Sequence, residues 1–177
     1  LADEPTSALD VTVQRQILDL IAERAAVAST SVLFITHDLG VAADRADRIL
    51  VMQHGVIVEA GPAAQVLEDP QHPYTKRLVA AAPTRISTRL VPAHGALAID
   101  PSRPVLEVSG LSKTFRLPGG ARVDATKDVA FSIARGESYA LVGESGSGKS
   151  TTARLALLLE RPDQGSIRLD GVEVTGA

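Results

Sequence analysis

Three groups of residues in this sequence have the types and spacing to do chemistry together. Gly143-Glu144-Ser145-Gly146-Ser147-Gly148-Lys149-Ser150 has the form G-x-x-x-x-G-K-[ST] of a phosphate-binding loop. Its glycines let the backbone turn with positive φ and approach a ligand closely, so successive N–H groups from Gly143 to Thr151 can converge on one anion. Lys149 adds a point charge for the β- and γ-phosphates of a nucleotide, and Ser150 offers a hydroxyl to Mg²⁺. The helix that starts near Ser150 aims its positive end at the same phosphates. The second group is Asp3-Glu4: an Asp at a strand end can hold Mg²⁺ through water, and a neighbouring Glu can orient or deprotonate an attacking water. The third is His37, which closes an apolar run and falls at the strand end where open α/β sheets meet their ligands. Taken alone, an Asp-Glu pair is more often a solvated turn and a single His a cap or surface residue.

These residues need elements to position them. Ser138 to Val142 reads as a short buried strand entering the glycine loop, and Thr151 to Glu160 as the helix leaving it, stopped by Arg161-Pro162. Leu1-Ala2 reads as the end of a strand that Pro5 prevents from continuing. The spacing predicts a helix from about Val11 to Ala26, with Val13, Ile17, Leu20 and Ile21 on its packed face and Ser7 or Asp10 as its N-cap. Val32-Leu33-Phe34-Ile35 suits a strand buried on both sides, as in a parallel sheet. Asp38 to Asp47 reads as a short helix, Arg48 to Met52 as another buried strand, and Gln53-His54-Gly55 as a tight turn into Val56 to Glu59. His54 is therefore a turn residue. Pro62 to Leu67 begins a further helix, and Asp69 to Leu78 is a proline-ordered loop before a helix. From Pro83 to Pro104 apolar periodicity stops and prolines recur, which marks a linker or irregular tail. Val105 to Val108, Leu111 to Leu117 and, after the Gly119-Gly120 turn, Val129 to Ile133 read as antiparallel strands. Ser166 to Leu169 is a last strand before the Asp170-Gly171 turn.

Composition sets the outer limits. The 177 residues are 45% hydrophobic, enough to bury a core. The formal charge of −3 provides no basic field for nucleic acid. With no cysteine, disulfides and thiolate metal sites do not arise. The longest apolar runs fall well below the roughly 18 residues of a membrane-spanning helix.

Leu1-Ala2-Asp3-Glu4-Pro5-Thr6-Ser7-Ala8-Leu9-Asp10 closely resembles the end of the Walker B motif and the D-loop of ATP-binding cassette (ABC) ATPases. The resemblance makes Asp3 the Mg²⁺-associated acid and Glu4 the catalytic carboxylate, with Ser7, Ala8, Leu9 and Asp10 as the D-loop. Ile35-Thr36-His37-Asp38-Leu39 resembles the family's switch-histidine loop, and His72-Pro73-Tyr74-Thr75-Lys76 resembles a string found after the ATPase core in oligopeptide, dipeptide and nickel importers. The strands from Val105 onward, with Gly136-Glu137 ahead of the glycine loop, resemble the start of a second ABC ATPase domain. In it Phe115 is the adenine-stacking aromatic, although a sheet-core side chain fits the same position.

The resemblance implies an α/β P-loop NTPase core of parallel strands with an antiparallel β subdomain, incomplete in this chain. Residues 1–82 resemble the back of one ABC ATPase domain, 83–104 a linker, and 105–177 the front of a second. The implied parent is a fused, two-domain ATP-binding subunit at the cytoplasmic face of the inner membrane. There it would bind MgATP, pair its two ATPase domains, and drive integral permease subunits served by a solute-binding protein. Because Lys149 and Glu4 fall in different parent domains, and neither half holds the family's Ser-Gly-Gly-Gln string or Q-loop, hydrolysis by this chain alone is expected to be near background. Alternatives are a tandem ABC ATPase acting on ribosomes or DNA, or an inert fragment. A lone front half would leave the Ser138 to Val142 strand unpaired on both edges, which buried backbone does not tolerate. The resemblance implies a glycine-loop strand flanked by the switch-histidine strand and the strand after it, so Ser138 to Val142 is expected between Val32 to Thr36 and Arg48 to Met52, with the Asp3 strand one position further out. His37 and Asp3 would then approach Lys149 within one chain.

Overall fold

A computed structural model describes residues 1–3, 11–82 and 103–175. Along these residues run β1 (Ala2–Asp3), α1 (Val11–Ala28), β2 (Val32–Thr36), α2 (Leu39–Arg45), β3 (Arg48–Gln53), β4 (Val56–Pro62), α3 (Ala63–Glu68) and α4 (Pro73–Ala81). After these come β5 (Pro104–Arg116), β6 (Arg122–Ala134), β7 (Ser138–Val142), α5 (Lys149–Ala156), β8 (Gln164–Leu169) and β9 (Val172–Glu173).

Two sheets form. The larger has the order β1-β2-β7-β3-β4, and the smaller, entirely antiparallel one has the order β6-β5-β8-β9. In the larger sheet β7 pairs in parallel with both neighbours, Val32 to Thr36 lying opposite Ser138 to Val142 on one side and Arg48 to Val51 opposite Tyr139 to Val142 on the other. Only β4 runs antiparallel, as the hairpin partner of β3. This is the insertion expected from an apolar strand that needs partners on both edges.

Alternating side chains of the central strands feed two cores. Val32 and Phe34 of β2, Ile49 and Val51 of β3, and Ala140 and Val142 of β7 face a helical layer that includes Leu18 and Ala25 of α1, Leu39 and Ala42 of α2, Val66 of α3 and Tyr74 of α4. Leu33 and Ile35, Leu50 and Met52, and Tyr139 and Leu141 face the opposite layer. It is built from Val108 and Leu111 of β5, Val129 and Ile133 of β6, Leu155 of α5, and Ile167 of β8. Cover on both faces explains why all five residues of β2 and of β7 are buried. Each fully enclosed side chain such as Ile35 or Leu141 contributes about 1.5–3 kcal/mol relative to exposure.

Polar side chains secure the start of β7 on both sides. Ser31 Oγ donates to the Ala134 carbonyl at 2.6 Å and accepts the Gly136 N–H at 2.9 Å. From the β3 side, Asp47 Oδ2 accepts the Ser138 N–H at 2.8 Å, and the Asp47 N–H donates to the Ser138 carbonyl at 2.8 Å.

The structure corrects the sequence reading in several places. α4 begins at Pro73, inside the Asp69 to Leu78 stretch expected as a loop, because His72 caps it there, and β6 begins at Arg122, well ahead of Val129, because it pairs with β5 from Arg116 onward. The packed side of α1 runs through Leu18, Ile21 and Ala25, while Val13 and Leu20 are exposed; the apolar spacing alone did not say which of two adjacent stripes meets the sheet. The helix after the glycine loop is Lys149–Ala156, shorter than expected, because Leu158 takes a positive φ of 58° and turns the chain before Arg161-Pro162 is reached. The strands read separately at Val105 to Val108 and Leu111 to Leu117 are one long strand, β5, with register shifts where it passes Val108 to Leu111. Nearly all of the expected linker, and the whole of Glu4 to Asp10, lie outside the described residues.

Candidate functional site

The glycine loop joins the buried end of β7 to the first turn of α5. Gly143 and Gly148 are compelled by contact as well as by conformation. A Cβ on Gly143 would lie 2.1 Å from the Met52 carbonyl oxygen, and one on Gly148, whose φ is +104°, would lie 2.3 Å from the Ala125 carbonyl oxygen. The backbone is also bonded from outside the loop: the Gly55 N–H donates to the Ser147 carbonyl at 2.8 Å, and the Glu144 N–H donates to the Tyr74 hydroxyl at 3.0 Å. Thr152 Oγ1 donates to the Gly148 carbonyl at 3.0 Å, tying the loop to the first turn of the helix.

Lys149 is buried and lies back over the loop, its Nζ donating to the Gly143 and Glu144 carbonyls at 2.9 Å each. Its charge thus sits inside the curve of the backbone, beside the N-terminus of α5. Ser147 Oγ is buried and has no hydrogen-bond partner among the described residues. A buried hydroxyl of this kind is a donor that a bound oxyanion can satisfy.

The acidic group arrives through the sheet. β1 pairs with β2, Asp3 standing opposite Ile35, and Asp3 Oδ1 accepts from Ser150 Oγ at 3.3 Å although the two residues are 147 positions apart. A carboxylate and a hydroxyl meeting beside a phosphate cradle fit Mg²⁺, which takes one or two protein oxygens and completes its octahedron with water and phosphate oxygens. Among the described residues no cluster of three or more His, Asp or Glu could hold a metal ion without such a ligand.

His37 is exposed at the end of β2. Because Thr36 is in register with Val142, His37 and Gly143 leave adjacent strands side by side. Phe115 belongs to neither core; it is 37% exposed on β5, opposite Val123, with Lys113 Nζ 5.5 Å from its ring centroid. The sheet-core alternative for this side chain is therefore not what the fold shows. Glu4 and the D-loop residues Ser7 to Asp10 lie outside the described residues.

Residues 126–177 match the family model described as ABC transporter. Over these residues the sequence is similar to ABC transporter ATP-binding domains. It is 42% identical to the glutathione import ATP-binding protein GsiA of Escherichia coli K12 over 98% of its own length and 32% of that protein. The GsiA proteins of Salmonella typhi and Pectobacterium atrosepticum are 42% and 41% identical over the same shares. The chain thus spans about a third of the length of the curated relatives it matches. Among solved structures it resembles the ATP-binding cassette MJ0796 in a dimeric, post-hydrolysis state bound to ADP and Pi. That likeness has a TM-score of 0.38 and 28% identity, over 41% of this chain and 31% of that one. A bacterial Atm1-family ABC exporter with ATP bound gives a TM-score of 0.35 and 27% identity, over 57% of this chain and 16% of that one. Among the described residues no helix is long and apolar enough to cross a membrane.

Sequence reasoning missed the outer supports of the loop: Met52, Gly55, Tyr74 and Ala125. The Gln53-His54-Gly55 turn was legible, but nothing in it says that the Gly55 amide would reach Ser147. The start of α4 was missed too, its first turns being read as loop; the local signal was Pro73 after His72, whose Nδ1 accepts the Tyr74 N–H at 3.2 Å as the N-cap.

Proposed function

We propose that this chain binds MgATP at the glycine loop and belongs to the ATP-hydrolysing subunit of an importer for peptides or related solutes, the class that includes glutathione. The observation that carries the reading is the position of β7 between β2 and β3, which brings Asp3 to Ser150 at the mouth of a loop already closed around Lys149. In this reading the amides of Gly143 to Thr151 hold the phosphates and Lys149 neutralises the β- and γ-oxygens. Ser150 and Asp3 hold Mg²⁺ directly or through water, which spreads the charge of the transferred phosphoryl group. His37 stands beside the γ-phosphate, Phe115 stacks on adenine, Glu4 activates water, and Ser7 to Asp10 meet the loop of a paired ATPase domain.

Residues 1–82 are read as the back of one ATPase domain, 83–104 as a linker and 105–177 as the front of a second. The whole subunit would sit at the cytoplasmic face of the plasma membrane, against permease subunits supplied by a solute-binding protein. With no signature string in either half, the chain by itself binds nucleotide and turns it over near background.

Isothermal titration with MgATP tests the binding. Removing the Lys149 ammonium in Lys149→Ala takes away charge-assisted contacts to two phosphates, so affinity should drop about a hundredfold. Equal affinity in the variant would remove the loop from the account.

A further inference from the structure

The His72-Pro73-Tyr74 string has no role in the site described so far, yet it touches the glycine loop. We infer that Tyr74 is a positioning residue for nucleotide binding, a latch by which the segment after the ATPase core holds the phosphate loop in its binding shape. The inference rests on the reading of that loop as the nucleotide site.

The Tyr74 side chain is only 2% exposed, with its ring in the helical-side core and its hydroxyl accepting the Glu144 N–H at 3.0 Å. Glu144 is the second residue of the loop, and its carbonyl is one of the two that hold Lys149 Nζ. The peptide unit joining Gly143 to Glu144 is thus fixed at both ends, its N–H by Tyr74 and its carbonyl by Lys149, while the Glu144 carbonyl accepts from both Lys149 Nζ and the Ser147 N–H. If the N–H loses its partner, that residue can rotate and the lysine loses one of its two carbonyl supports.

The tyrosine is itself held. His72 Nδ1 caps the Tyr74 N–H at 3.2 Å, and Glu59 on β4 accepts the Gln71 and His72 N–H groups at 2.8 and 3.0 Å. The path runs from Glu59 through the start of α4 and across the helical core to the loop. It uses three successive residues that would otherwise form an ordinary helix entry.

Tyr74→Phe keeps the ring and removes only the hydroxyl. In the nucleotide-free chain, amide hydrogen exchange at Glu144 should become at least about fivefold faster, while the Ser138 to Val142 strand keeps its protection. MgATP should bind about fivefold more weakly. His72→Ala, which uncaps α4, should shift both readouts the same way, and His72→Asn, which restores a capping side chain, should return them towards wild type. Unchanged exchange at Glu144 in Tyr74→Phe would overturn the latch. Faster exchange with unchanged ATP affinity would overturn its role in binding. Because the exchange readout needs no nucleotide, failure of the chain to bind ATP would count against the proposed function while leaving the latch decided by Glu144.

Discussion

The two parts of the candidate site have opposite origins. The glycine loop is eight consecutive residues whose shape follows from backbone freedom and close contact, whereas its acidic partner, Asp3, comes from the far end of the chain and is carried there by two strand pairings. At Gly143 and Gly148 the loop tolerates almost no added volume, with carbonyl oxygens of Met52 and Ala125 standing where side chains would begin. The Asp3 to Ser150 contact is exposed, long at 3.3 Å, and depends on the order of a whole sheet. The loop is thus protected by sterics and the Asp3 edge by topology, so the two should fail differently.

The largest effect should come from crowding the loop. Gly148→Ala forces a Cβ into the Ala125 carbonyl at a φ that side chains avoid, and should cost about 3 kcal/mol or more of folding stability by urea denaturation. A loss below about 1 kcal/mol would show that the loop can yield, and the contrast with Asp3 would weaken.

A smaller effect should come from the assembled edge. Asp3→Asn leaves the strand pairing intact but removes the negative charge that the proposed function sets beside Mg²⁺, so MgATP affinity should drop about tenfold with little change in stability. The difference should vanish when EDTA removes Mg²⁺. The same loss with and without metal would mean that Asp3 acts through Ser150 alone.

The smallest effect sits at the turn that leads into β7, at the opposite end of that strand from the loop and Asp3. Burial pushes the Glu137 carboxyl above its ordinary value, even though the Ala134 N–H bonds it at 2.9 Å and the Arg48 charge lies nearby. For an acid raised in the folded state, the native protein holds the proton more tightly than the unfolded chain. Its contribution is fully present below the ordinary value and is lost as pH rises through the folded one. Glu137→Gln, which keeps an acceptor for Ala134, should therefore flatten the fall in stability as pH rises above the ordinary carboxyl value, as read from urea midpoints at several pH values. A slope unchanged by the substitution would assign the pH dependence to other groups.

Much of this molecule is local information. The glycine loop, the buried character of β2, β3 and β7, the Gly119-Gly120 hairpin, whose glycines both take positive φ, and the capping of α4 by His72 all follow from residue types over a few positions. Unbroken apolar runs bounded by turn residues could be assigned to central strands, and the bare edges of Ser138 to Val142 called for partners, but which strands those would be came from the resemblance to ABC ATPases. Which stripe of α1 packs was not legible, because Ile17, Leu18, Leu20 and Ile21 all offer apolar surface within one turn. The facing helix and sheet choose Leu18. Nor was the end of α5, where the positive φ of Leu158 is a tertiary compromise and not a propensity.

The site divides along the same line. The sequence by itself determined that the loop amides, a lysine and a hydroxyl would stand together, since they are consecutive and the glycines permit a tight turn of the backbone. Only the tertiary structure decided that Asp3 meets Ser150, that Gly55 and Tyr74 hold the loop from outside, and that Phe115 lies clear of both cores. Those contacts join residues 70 to 147 positions apart, as Tyr74 with Glu144 and Asp3 with Ser150 show. Contacts at such separations leave no periodicity in the chain; they exist because burying a two-sided strand draws the segments around it into register.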